Sequence, residues 1–237
     1  MSASVQPLTI DVGADERVSA LLQRPASPRA CYVMAHGAGA GMAHPFMAGL
    51  ASDLAERGVA TLRFQFPYME RGSKRTDPPA LAHATVRAAV CEAAKRLPEL
   101  PLFAGGRSFG GRMSSQAQAI APHANVRGLI FVGFPLHPAG KPAIERAAHL
   151  DDVRIPMLFL QGTNDELAEL PLLEPLVERL GARASLALFD AADHAFHVPA
   201  RSGRRDADVR AGIADAIASW IDATIERASE PALGAMR

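Results

Sequence analysis

Gly105-Gly106-Arg107-Ser108-Phe109-Gly110-Gly111 follows an apolar run, Pro101 to Gly105, and opens a helical segment, Phe109 to Ile120. A strand that turns into a helix through G-x-S-x-G is the pattern of a nucleophile elbow. There the serine is forced into strained torsions and its hydroxyl projects from the sheet edge. Neighbours two positions either side must lack a Cβ, because they pack against the turn. Gly105, Gly106, Gly110 and Gly111 meet that requirement. The helix start also aims free N–H groups at any negative charge developing at the serine. A glycine-rich turn whose serine only caps the helix would carry the same letters; the strand before and the helix after favour the elbow.

Outward from this turn the chain alternates. Val5 to Arg24 reads as two strands around the turn signal Gly13-Ala14-Asp15-Glu16, and Ala30 to Ala35 is a continuous apolar strand ending at His36-Gly37. Phe46 to Arg57 has helical spacing and stops at Gly58. Val59 to Phe64 is a strand, and Pro79 to Leu97 an alanine-rich helix with proline at its start. After the elbow come a strand at Val126 to Gly133, a strand at Ile155 to Gln161 and a helix at Leu172 to Leu180. A strand at Ala184 to Phe189 follows, then a long helix, Asp206 to Ala228, with Ile213, Ile217, Trp220 and Ile221 on one side. This order predicts βαβ units and a mainly parallel sheet covered by helices on both faces, in one domain spanning 1–237. Gly133 to Ile155 leaves room for a small helix and none for a large lid. The tail from Ser229, with Pro231 and Gly234, is expected to fray.

In an elbow fold the acid and the base follow the serine in that order, on loops after later strands. The strand IPMLFLQ runs into Gly162-Thr163-Asn164-Asp165, and ASLALF runs into Asp190-Ala191-Ala192-Asp193-His194. Ligands in open α/β sheets bind beyond the carboxyl ends of the strands, where Ser108, Asp165 and His194 would converge. Among competing acids, Glu166 lies one residue further from its strand, Asp193 adjoins His194 and would point away, and Asp190 suits a turn bond. An Asx turn is the plain alternative for Asp165. His197, three after His194, suggests a metal pair, but Pro199 argues against a helix there and no cluster has ligand spacing, so no metal is expected. His197 reads as a surface residue.

His36-Gly37-Ala38-Gly39-Ala40-Gly41 invites comparison with a dinucleotide loop, yet its pattern is G-x-G-x-G. The following strand also ends Arg63-Phe64-Gln65-Phe66, without an acid for a ribose, so no cofactor is expected. The loop instead suits an oxyanion hole, with donors assigned to the N–H groups of Ala38 (to within one residue) and Phe109. Arg71-Gly72-Ser73-Lys74-Arg75 could draw an anionic substrate; a solvated loop is the favoured reading.

Twenty-five basic and 25 acidic residues give a net charge of +0, so no overall field draws nucleic acid or an anionic membrane, and neither is expected as a partner. No apolar run approaches the ~18 residues of a membrane span, and the N-terminus lacks a secretory leader pattern. Cys31, in an apolar strand, and Cys91, in a helix, read as free thiols of a cytoplasmic protein. Oligomeric state leaves no mark in the sequence.

Together GGRSFGGRMSS, AHGAGAGMAHPF, FQFPYMERG, FLQGTNDELAE and DAADHAFHV resemble the small, lidless, dienelactone-hydrolase-like α/β-hydrolases of the Tex/KANSL-like branch, from about Cys31 to Trp220. The resemblance implies the α/β-hydrolase fold, with Ser108 as nucleophile, Asp165 as acid and His194 as base. Dienelactone hydrolases carry cysteine where this chain has Ser108. The expected activity is hydrolysis of a small acyl substrate, an ester or thioester, through an acyl-enzyme. Amide or peptide cleavage at the same residues and a non-catalytic interaction module are the competing classes. A scaffold has no need of all three residues in register.

Overall fold

The computed structural model describes residues 3–13 and 16–229. Ala14 and Asp15 of the first turn, and the tail after Ser229, lie outside the described residues. Eight strands form one sheet: β1 (Ser4–Asp11), β2 (Arg17–Arg24), β3 (Ala30–Ala35), β4 (Val59–Phe64), β5 (Leu102–Arg107), β6 (Val126–Val132), β7 (Met157–Gly162) and β8 (Ala184–Phe189). Their order is β1-β2-β4-β3-β5-β6-β7-β8, antiparallel at β1–β2 and β2–β4 and parallel from there on.

Among the described residues six α-helices accompany it: α1 (Pro45–Glu56), α2 (Pro67–Glu70), α3 (Pro79–Arg96), α4 (Phe109–Ile120), α5 (Leu170–Leu180) and α6 (Asp206–Ser229). The apolar runs of β3 and β4 are buried along their whole length because both sheet faces are covered. Side chains alternate across the pleat, so Tyr32 and Met34 of β3 join one core while Cys31, Val33 and Ala35 join the other. The first core includes α1 and α6, the latter through Val209, Ile213, Ile217, Trp220 and Ile221. The second is packed by α3, α4 and α5. Alanines 82, 89 and 93 give α3 a thin, fully buried face. Trp220 closes edge-on against Phe103, ring centres 5.8 Å apart.

The observed elements follow the expected order, with boundary differences that have physical causes. β5 continues past Gly105 to Arg107 because Ala35 of β3 and Val132 of β6 pair alongside it. α5 starts at Leu170, since Pro171 fits the first helical turn. The 3-10 turn Glu145–Asp152 fills the room left for a small helix between Gly133 and Ile155, whereas the four-residue α2 is too short to write a helical period into the sequence. The β6–β7 connection is otherwise loop, and among the described residues no lid domain covers the carboxyl edge of the sheet. Cys31 is buried, Cys91 is exposed, and both are free. Among the described residues no helix is long and apolar enough to cross a membrane.

Candidate active site

Ser108 sits between β5 and α4 with φ 49° and ψ −114°, a left-handed conformation that L residues rarely adopt. Backbone packing holds it there. Its N–H donates to the Val132 carbonyl at 3.1 Å, and its carbonyl accepts from the Arg112 N–H at 3.1 Å. A methyl group on Gly106 would stand 2.1 Å from the Ala35 carbonyl oxygen, and one on Gly110 2.6 Å from those of Ala35 and His36. The turn therefore closes against β3 only with glycine at both positions.

The structure brings Ser108, His194 and Asp165 together. His194 Nε2 lies 2.9 Å from Ser108 Oγ, and His194 Nδ1 lies 2.7 Å from Asp165 Oδ2. An ionised carboxylate only accepts, so Nδ1 carries the proton and donates it to Asp165. That leaves Nε2 free to accept the Ser108 hydroxyl. The Asp165 side chain is wholly buried and the imidazole about three-quarters buried.

Two loops laced together set this alignment. Beyond β7 and β8, Thr163 N–H donates to Phe189 O at 3.1 Å, Asn164 N–H to Ala192 O at 2.9 Å, and Ala191 N–H to Thr163 Oγ1 at 2.8 Å. Asp165 also accepts from the Leu167 N–H at 2.8 Å and from the side-chain amide of Gln161. Gln161, fully buried at the end of β7, in turn accepts the Phe134 N–H at 3.0 Å. The sequence reading gave Gln161 no part in the site. Its only signal was a polar residue at the end of an otherwise apolar strand.

The competing acids stand elsewhere. Asp193 Oδ1 accepts the N–H groups of Ala195 and His197 at 2.7 and 2.9 Å, closing the turn that carries His194. Thr163 Oγ1 lies 3.5 Å from Asp190 Oδ1, and Glu166 is exposed. His197 lies on the surface, where Asp206 at 2.9 Å raises its pKa. A cleft of about 340 Å³ opens beside the imidazole, between Asn164, Glu166, Leu167 and Asp193 to Ala195.

On the other side of the serine lies the loop from His36. A methyl group on Gly37 would stand 3.7 Å from Ser108 Cβ, so the loop backbone runs alongside the hydroxyl. Ala38 follows on the surface and Phe109 opens α4. Among the described residues neither N–H enters a loop or cap backbone bond. His36 is fully buried and pins this loop, another role missed in the sequence. Its Nδ1–H donates to Gly37 O at 2.8 Å and its Nε2 accepts the Phe66 N–H at 3.0 Å. Burial pushes its pKa down and keeps the ring neutral. Phe66 and Tyr68 pack edge-on against Phe109, at 5.3 and 6.3 Å.

Arg71 of the basic stretch is a structural tie: it pairs with buried Asp77 at 2.6 Å and with Glu16 at 2.7 Å. Lys74 and Arg75 are exposed. Arg107 folds its guanidinium over Phe46, 4.9 Å from the ring centre. Burial lowers its pKa, opposed by the negative charges of Asp193 and Asp165. Among the described residues no group of three or more His, Cys, Asp or Glu side chains has the arrangement of a metal site.

A family model described as an alpha/beta hydrolase domain matches residues 28–222. Solved structures share the fold at low identity. One, a dienelactone hydrolase from Anabaena variabilis, has a TM-score of 0.74 at 20% identity, covering 94% of this chain and 99% of that one. An α/β serine hydrolase homologue from Coxiella burnetii has a TM-score of 0.72 at 21% identity, covering 89% and 96%. An α/β serine hydrolase without a lid from Xanthomonas campestris has a TM-score of 0.71 at 22% identity, covering 92% and 95%.

Proposed function

Because the chain belongs to the alpha/beta hydrolase domain family, we propose that it is a serine hydrolase that cleaves a small carboxylic ester or thioester through an acyl-enzyme. The observation that carries this reading is the unbroken chain Ser108 Oγ, His194 Nε2, His194 Nδ1, Asp165 Oδ2, with contacts of 2.9 and 2.7 Å.

In the proposed reaction His194 Nε2 takes the Ser108 proton as Oγ bonds to the acyl carbon. Asp165 holds the tautomer and stabilises the imidazolium that forms. The carbonyl electrons move onto oxygen, and the N–H groups of Ala38 and Phe109 receive that oxyanion. When it collapses, the bond to the leaving oxygen or sulfur breaks and His194 returns its proton to that atom. A water then repeats the sequence: His194 removes its proton, the hydroxyl attacks the acyl carbon, and Ser108 Oγ leaves as the protonated alcohol. The acid is released and the enzyme is restored.

Labelling with a fluorophosphonate probe tests the reading. Wild type should label at Ser108, and His194→Ala should label far more slowly. Absence of labelling in a folded wild-type protein, beside inertness towards a series of 4-nitrophenyl esters, would defeat it.

A further inference from the structure

His137 follows β6, is wholly buried and has no part in the reaction proposed above. Burial strips an imidazole of water, so each ring nitrogen needs a partner within the protein. Nδ1 lies 2.9 Å from the Pro138 carbonyl oxygen, which can only accept, and therefore carries a proton. Nε2 meets a carboxylate oxygen, Oε2 of Glu169. Among the described residues neither of these two atoms has another polar partner, and both are closed off from solvent, although the rest of Glu169 is half-exposed. Both ring nitrogens thus face oxygen, and the pair holds one proton more than a neutral imidazole beside a carboxylate. Such a contact is charge-assisted, and withdrawing Glu169 would leave Nε2 buried and unsatisfied. Glu169 stands at the N-cap of α5, where a polar side chain ordinarily turns to the helix N–H groups; it makes no such bond and faces His137 instead.

The two segments joined in this way both bear on reacting groups. The segment after β6 starts at Gly133, where a methyl group would stand 3.5 Å from His194 Cε1 and Nδ1. Its next residue, Phe134, donates to Gln161, whose amide holds Asp165. The segment after β7 starts with Asp165 and ends with Glu169. Midway, the Leu167 carbonyl accepts the N–H groups of Leu136 at 2.8 Å and His137 at 3.2 Å, while the Leu167 N–H donates to Asp165 Oδ1 at 2.8 Å. Leu167 also lines the cleft beside His194. The stretch that carries the acid is thus tied to the 133–138 segment near its start and at its middle, and the His137–Glu169 contact closes its far end.

We infer that His137 and Glu169 are positioning residues: their contact clasps the segment after β7 against the segment after β6 and so holds Asp165 on the His194 Nδ1 proton. The pair touches no substrate and acts through Asp165. Its effect on turnover rests on the hydrolase reading above; its effect on the Asp165–His194 bond does not.

Two measurements keep these apart. The first follows the ring 15N signals of His194 at alkaline pH, with the imidazole neutral, which report the nitrogen that carries the proton. Wild type should show the proton on Nδ1. In Glu169→Ala the ratio of the Nδ1–H to the Nε2–H form should fall about tenfold. Glu169→Gln, whose amide can donate to His137 Nε2, should restore it. Glu169 is half-exposed, so the alanine variant should fold; if it does not, Glu169→Asp, one methylene short of Nε2, takes its place. The second measures kcat and KM for 4-nitrophenyl butyrate. In the shortened variant kcat should fall about tenfold or more with KM within about twofold, and Glu169→Gln should recover most of it. A His194 tautomer ratio unchanged in the shortened variant, or changed but not restored by glutamine, would overturn the clasp. A changed ratio with unchanged kcat would overturn its part in turnover. A changed ratio in a protein whose wild type hydrolyses no ester would overturn the hydrolase reading alone.

Discussion

Gln161 donates its side-chain N–H to Asp165 Oδ2, the oxygen that also receives the His194 Nδ1 proton. Its amide is fixed in orientation. The carboxylate can only accept, and the Phe134 N–H needs the Gln161 oxygen as its acceptor at 3.0 Å. The carboxylate that orients the imidazole is therefore held by the end of its own strand and, through the glutamine, by the neighbouring loop. Replacing Gln161 with leucine strands two buried groups. A loss of roughly 1–3 kcal/mol of stability is expected in urea titrations. Turnover should drop about tenfold or more, in kcat rather than KM. An unchanged kcat would separate Gln161 from the reaction.

Ser108→Ala should remove ester turnover by about six orders of magnitude while circular dichroism and Tm stay near wild type. Asp165→Asn should keep the packing but reverse the tautomer preference of His194, lowering kcat by about 10⁴. Near-wild-type turnover in either variant would count against the assigned role.

His36→Leu leaves the Phe66 N–H without an acceptor in the core and frees the loop beside Ser108. Denaturant midpoints should show a cost of about 1–3 kcal/mol. Fluorophosphonate labelling of Ser108 should slow about tenfold or more, because the Ala38 N–H loses its fixed position. Equal labelling rates would mean that the loop holds its place without the imidazole.

Gly106→Ala sets a Cβ about 2.1 Å from the Ala35 carbonyl oxygen, at a residue with φ 145°. Both partners are backbone of adjacent central strands, so neither can yield. Overpacking costs of about 1–3 kcal/mol are typical, and backbone against backbone exceeds them. The variant is expected in the insoluble fraction, or with a Tm lowered by more than 10 °C. A soluble variant with wild-type Tm would contradict the close approach.

His149, His83 and His36 all have pKa values below the ordinary 6.5, His149 at about 4, with burial the leading cause. Below pH 6.5 the unfolded chain binds protons that these folded rings refuse. Their contribution is thus fully present above pH 6.5 and lost as pH falls, for His149 between about 6.5 and about 4. Tm measured from pH 7.5 to 4 should decline over that window, and His149→Gln should flatten the slope. A variant with the full slope would assign the decline to other groups.

The period of the strands, the glycines around Ser108, and the order serine, acid, histidine were legible because each is a local rule. Burial on both sheet faces writes an apolar run, a left-handed turn writes glycine, and a fold with its site at the strand ends writes polar residues just past them. Asp165 could be preferred to Glu166, Asp190 and Asp193 on those grounds. Gln161 and His36 could not be found in the same way, since their partners lie 27 and 30 residues away along the chain at their second bonds.

The sequence alone determined the alternation of strands and helices, the sharp turn at Ser108 and the identity of the three groups that meet there, because backbone torsion and strand period depend on near neighbours. The tertiary structure decided the hydrogen-bond partners that hold Asp165 and the 36–38 loop. Those depend on distances between segments remote in sequence, which are set only when the sheet has closed and its two cores have packed.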